Sequence, residues 1–240
     1  MLRRGNTMKW NRAIGVAIFL FILAIVPASA NTLTFDLDFE FSEATAPAGT
    51  APWVTATFDD AVAGVDGVQL TITAVNLTGS EFISEFSFNF NPELNAALFL
   101  PMATTLGSQD DWNSIGAGNN AFKADGDGFF DFLVDFPPPP GVFANKFSAG
   151  EIFILNILNI PGSDLSVDDF NFASVNGPVG KTGFYAAAHI QGIGPDGEDS
   201  GWIAPGVSGG PTGEVPEPAS LLLLGIGLAG LGLASWRKRR

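Results

Sequence analysis

The chain has 240 residues and a formal charge of −14, with 25 carboxylates against 11 lysines and arginines. Between Asp36 and Glu214 stand 24 of the carboxylates and only three cations, Lys123, Lys146 and Lys181, so the middle repels nucleic acid and anionic headgroups and attracts divalent cations or basic partners. The absence of cysteine excludes disulfides, a lipid-anchor cysteine, thiolate metal sites and a cysteine nucleophile.

The first element is a signal peptide over residues 1–30. Arg3 to Arg12 form a basic stretch, Ala13 to Val26 an apolar one, and Ala28-Ser29-Ala30 supplies the small-x-small pattern that signal peptidase accepts. Cleavage after Ala30 leaves Asn31 as the mature terminus. A permanent N-terminal anchor is the alternative, but the apolar run is short for a span and the cleavage site is well placed.

Residues 31–203 read as one β-rich ectodomain. In "LTFDLDFEF", Leu33, Phe35, Leu37, Phe39 and Phe41 point one way and Thr34, Asp36, Asp38 and Glu40 the other. "VTATF" places Val54, Ala56 and Phe58 on one side, and "VQLTITA" does the same with Val68, Leu70, Ile72 and Ala74. "FISEFSFNF" gives Phe82, Phe86, Phe88 and Phe90 one face, and "FFDFLVDF" gives one to Phe130, Phe132, Val134 and Phe136. Glu151 to Ile160 is apolar on both sides, as a central strand would be. Phe184, Ala186, Ala188 and Ile190 line a further strand. Turn pairs such as Asp66-Gly67, Asn91-Pro92 and Asp196-Gly197 punctuate the gaps. Helix is confined to a turn or two within Pro92 to Leu100 and Ser163 to Phe170. Short strands of period two, with 22 phenylalanines to fill a core, predict an all-β antiparallel β-sandwich, jelly-roll-like, between an N-terminal signal helix and a C-terminal transmembrane helix.

Few residues here invite chemistry. In "ADGDGFFD", Asp125, Asp127 and Asp131 stand around glycines, a pattern that can wrap Ca²⁺. The EF-hand pattern fails, since Phe129 and Phe136 occupy two of its ligand positions, and an acidic hairpin turn is the competing reading. No cofactor other than calcium is indicated. His189 is the one histidine and has no Ser–His–Asp motif around it. No HExxH, GxSxG or phosphate-cradling loop occurs, so the ectodomain reads as non-enzymatic. A hydrolase would need a cleft holding two carboxyl groups roughly 5–10 Å apart, one with a raised pKa. Trp53, Trp112, Trp202 and Tyr185 can stack on sugars wherever they are exposed.

Residues 204–214, "APGVSGGPTGE", form a flexible Gly/Pro linker. The C-terminal segment, residues 215–240, has three parts. Val215, Pro216, Glu217 and Pro218 form a rigid extended stretch outside any helix. Ala219 to Trp236 is almost wholly apolar and spans roughly 25–27 Å as a helix, close to a ~30 Å hydrocarbon core. Arg237, Lys238, Arg239 and Arg240 form a transmembrane stop that keeps that end in the cytoplasm.

This order of motif, apolar helix and basic end closely resembles the PEP-CTERM sorting signal of Gram-negative bacteria. The resemblance implies recognition by exosortase, an integral-membrane cysteine transpeptidase-like enzyme, and cleavage near Pro216-Glu217-Pro218. It implies passage through signal peptidase and the export machinery, transient anchoring in the inner membrane, and delivery to the cell envelope or exterior. It also implies an association with exopolysaccharide and biofilm-type matrices. The expected function is a structural or adhesive matrix protein, with no nucleic-acid partner; the alternative is a carbohydrate-binding module for secreted polysaccharide, calcium-assisted or not.

Overall fold

Side chains that alternate between core and solvent commit a segment to a sheet with one buried face. The computed structural model describes residues 31–62, 64–100, 104–106, 112–125, 128–136, 146–175 and 183–206, all within the unit Ala30–Val215. Its strands are β1 (Thr32–Glu40), β2 (Val54–Asp59), β3 (Gly67–Thr73), β4 (Phe82–Phe88), β5 (Thr104–Leu106), β6 (Ser114–Lys123), β7 (Phe129–Asp135), β8 (Phe147–Ser148), β9 (Ile152–Leu158), β10 (Ala186–Ile193) and β11 (Asp199–Pro205). Two 3-10 turns, Ala96–Leu98 and Val167–Phe170, fall inside the two stretches where the sequence predicts a helical turn. The expected signal helix and transmembrane helix lie outside the described residues.

The expected all-β antiparallel fold is present, but the two sheets of a jelly-roll-like sandwich are here one. The strands follow a single path, β5-β9-β3-β2-β1-β11-β10-β4-β7-β6, with β8 added alongside β4. The reason lies in β1, which pairs antiparallel with β2 on one side and with β11 on the other. The ladder therefore runs unbroken where two sheets would separate, and the sheet curls into a half-barrel.

Phenylalanine fills the concave side. Phe58 on β2 stacks on Phe170 at 4.6 Å and meets the edge of Phe88 on β4 at 5.5 Å. Phe88 stacks on Phe132 of β7 at 4.8 Å, and Phe136 meets Phe153 of β9 edge-on at 5.1 Å. These contacts bind the β9-β3-β2 arm to the β4-β7 arm. A smaller cluster joins Phe41, Ala124, Phe130, Phe184, Ala187 and Ala204, with Trp202 packed against them.

Two β-bulges explain where the expected faces fail. In β1, Leu37 opposes Pro205 but Phe39 opposes Ala204, so Asp38 is an extra residue. Beyond it the alternation inverts. Leu37 is fully buried in the main core, whereas Phe39 is 43 % exposed and Phe41 packs in the smaller cluster. In β4, Glu85 opposes His189 and Ile83 opposes Ile190, so Ser84 is extra. Ile83 joins Phe86, Phe88 and Phe90 in the main core, and Phe82 leaves their face to lie 3.9 Å beneath the Lys146 ammonium. A third irregularity, in β10, centres on Gly192, whose φ of +77° and contact with the Ser80 carbonyl leave no room for a Cβ.

Four strands carry no clear signal in the sequence. β6 contains Gly116, Gly118, Asn119 and Asn120, poor strand formers tolerated on an edge. β5 and β8 are three and two residues long. β11 extends to Ala204 and Pro205, which by composition begin the linker; both pair with β1.

Phe88→Ala should lower unfolding free energy by about 3–5 kcal/mol, because it empties the point where the two arms meet. Denaturant titration measures this. Ser87 is 1 % exposed, and among the described residues its hydroxyl has no hydrogen-bond partner. Ser87→Ala should therefore leave stability unchanged or raise it by up to about 1 kcal/mol in the same titration.

Candidate functional site

Directly opposed residues in neighbouring antiparallel strands share a face, so register alone builds transverse rows of side chains. One such row crosses four strands. Trp202 of β11 opposes His189 of β10, His189 opposes Glu85 of β4, and Glu85 opposes Asp135 of β7. The imidazole of His189 stacks on the Trp202 indole at 4.7 Å, with the rings 10° from parallel. The β4 bulge brings Ser84 into the row: its hydroxyl lies 3.0 Å from His189 Nδ1 and accepts from Gln191 Nε2 at 3.2 Å.

Burial pushes the Glu85 carboxyl above its ordinary value, and the negative charge of Asp135 adds to the effect. Burial lowers the proton affinity of His189, and the charge of Asp125 partly opposes this. Ser84 is only 1 % exposed, and its hydroxyl is held against the imidazole.

A second place gathers polar atoms in a concavity. A cavity of about 140 Å³ is lined by Asn89, Phe90, Pro92, Asn119, Asn120, Asp131, Phe172, Ala173 and Val175. Asn120 sits at φ 54°, a left-handed position that asparagine tolerates, within the irregular part of the β6–β7 pairing. Its backbone N–H donates to Asp131 Oδ1 at 2.6 Å, while the N–H of Phe90 donates to Asp131 Oδ2 at 2.8 Å. Asn119 bridges to the first 3-10 turn, accepting from Ala96 N at 2.8 Å and donating to the Leu94 carbonyl at 2.9 Å.

Of the candidate calcium ligands, Asp131 is engaged by these two backbone amides. Asp125 lies close enough to His189 to influence its protonation, and Asp127 falls outside the described residues. Among the described residues no group of three or more His, Cys, Asp or Glu side chains is placed to hold a metal ion. The candidate stacking aromatics scatter. Trp53 is buried and donates its indole N–H to the Gly49 carbonyl at 2.7 Å; Tyr185 stacks on Phe35 at 5.4 Å; Trp112 is half-buried against the main core. Only Trp202 belongs to the transverse row. Reading the sequence missed Glu85, Asp135, Asn89 and Asn120. A carboxylate within the buried run "FISEFSF" was the one visible signal, because an acid there must be paired or protonated.

Ala28, Ala30, Val215, Pro216, Glu217, Pro218 and the basic stop Arg237 to Arg240 lie outside the described residues. Comparison with family models speaks for the C-terminal end: residues 214–240 match the PEP-CTERM protein-sorting motif. This marks the chain as an exosortase substrate exported toward the cell envelope, with a membrane passage on the way. No curated protein and no solved structure gives a significant match.

The raised Glu85 makes a pH prediction. Its carboxyl binds a proton more tightly in the folded chain, so its stabilising contribution is complete below the ordinary value of 4.5 and is lost as pH rises through the raised one. Glu85→Gln should raise Tm by a few degrees at neutral pH and change it little below pH 4.5. The lowered His189 gives the opposite slope, since its contribution is lost on acidification below 6.5. Comparing variant and wild type at each pH removes most of that background; an equal Tm shift at both pH values would contradict the assignment.

Proposed function

We propose that this chain is a non-catalytic structural or adhesive protein of the cell envelope or of an exopolysaccharide matrix, released from the inner membrane by exosortase cleavage near Pro216-Glu217-Pro218. The observation that carries this reading is the sorting motif at residues 214–240, preceded by an exported-type N-terminus. The ectodomain chemistry supports it. Glu85, the acid with raised proton affinity, lies with Asp135 on a sheet face, while the cavity described above contains one carboxylate among the described residues, Asp131. A two-carboxylate hydrolase needs both acids on one cleft. The acidic surface keeps the delivered protein soluble and away from anionic headgroups.

A second reading, carbohydrate binding, is favoured by that same cavity, whose wall combines amide, carboxylate and aromatic groups.

The sorting claim is tested by the triple variant Pro216→Ala, Glu217→Ala, Pro218→Ala in a host that carries exosortase. Intact-mass analysis of protein from medium and envelope should show wild type lacking both the leader and the basic tail. The variant should keep Arg237 to Arg240. Identical C-terminal trimming of the two would remove the basis for exosortase processing.

A further inference from the structure

We propose that the cavity between β4, β6 and β7 holds a single neutral, hydroxyl-rich ring: one sugar residue. The proposal rests on the carbohydrate reading above and assigns it a place and a size.

Asn89 is 3 % exposed and lines the cavity. Its Nδ2 donates to the carbonyls of Phe184 at 3.0 Å and Tyr185 at 3.3 Å, which fixes the amide orientation. Its Oδ1 is an acceptor that a donor entering the cavity can reach. Asp131 is 8 % exposed, and each carboxylate oxygen receives a single backbone N–H. An ionised carboxylate offers about four acceptor sites, so lone pairs remain on both oxygens. The polar wall therefore accepts, and the occupant must donate.

Two kinds of donor-like occupant compete, a cation and a set of hydroxyls. Calcium takes about 6–8 oxygen ligands and is held chiefly by carboxylates. Among the described residues this wall has one carboxylate, already shared between two amides, and no second acid to neutralise the rest of a divalent charge. Hydroxyls match it better. A ring hydroxyl can donate to Asn89 Oδ1 and a neighbouring one to Asp131, while the Asn120 side chain at the rim supplies amide groups of its own. Phe172 and Pro92 give an apolar surface to the C–H face of a ring. At about 140 Å³ the space is small beside the roughly 300–1,000 Å³ of sites that enclose a whole ligand, so it takes one ring partly inserted and not a chain buried along its length.

The test uses the full chain in detergent and a panel of free glucose, galactose, mannose and rhamnose, read by saturation-transfer NMR. Two variants leave the core untouched. Asn120→Gly removes the rim amide at a backbone position glycine accepts, and Ala173→Trp fills the mouth from an exposed position. Thermal melts confirm that each is folded. At least one sugar should bind wild type, with affinity falling about fivefold or more in each folded variant, roughly 1 kcal/mol. No transfer from any of the four sugars, or transfer that survives both substitutions, would overturn the proposal. So would calorimetric binding of calcium chloride that is lost in Asp131→Asn when no sugar binds. None of these outcomes depends on C-terminal trimming, so failure here leaves the sorting assignment intact.

Discussion

The pairing of β1 with β11 is the constraint on which the architecture depends. These are the first and last strands of the described chain, and they lie side by side in the middle of the sheet. Their ladder joins the β2-β3-β9 arm to the β10-β4-β7 arm, and only then can the two arms close over shared phenylalanines. Phe58 and Phe153 belong to one arm and Phe88 and Phe132 to the other, and a broken centre would leave each arm with one apolar face open to water. Gly201 reflects the same crowding. It lies in β11 where the carbonyl of Thr45 passes, and a Cβ would collide with it.

Around this core the abundant carboxylates act as ties for loops. Glu81 is 3 % exposed and accepts from the backbone N–H groups of Ala48 and Thr78, both at 2.7 Å. Asp169 accepts from Ser166 N at 3.0 Å and from the Asn91 side chain at 2.9 Å. Asp60 receives Asn31 N and Val167 N, linking the start of β1 to the second 3-10 turn. A chain with so few cations cannot satisfy its acids by ion pairing, and backbone amides in tight connections, which lack ladder partners, take that role. The high negative charge of the composition is thus partly architectural, and counting acids in a motif such as "ADGDGFFD" overstates the oxygens available to a metal.

Period-two alternation was a sound guide wherever a strand has one register from end to end. β2 and β3 bury the residues their pattern nominates, and β9 is central, with β3 on one side and β5 on the other. The pattern misleads at Asp38 and Ser84 because an inserted residue leaves no mark when both sheet faces carry aromatic clusters. Phe39 and Phe41 continue the rhythm of Leu33, Phe35 and Leu37 while lying on the opposite side. The candidate sites were harder still. Asn89, Asn120 and Asp131 meet only because β4 and β7 pair and the β6 loop folds over them, a relation between segments that no single stretch displays. The sorting signal was legible for the converse reason: its motif, apolar run and basic end are contiguous, and a membrane and its peptidase read them in order.

The central position of β11 also sets how the domain bears load. Gly206 follows β11 directly, and its N–H donates to Asp38 on β1 at 2.7 Å. Any tension applied beyond Gly206 enters the sheet through a strand bonded on both flanks, to β1 and to β10. Hydrogen bonds in such ladders run perpendicular to the strands, so a pull along β11 strains two rows in shear together instead of peeling an outer strand one bond at a time. The described chain therefore leaves the sheet at a mechanically strong point.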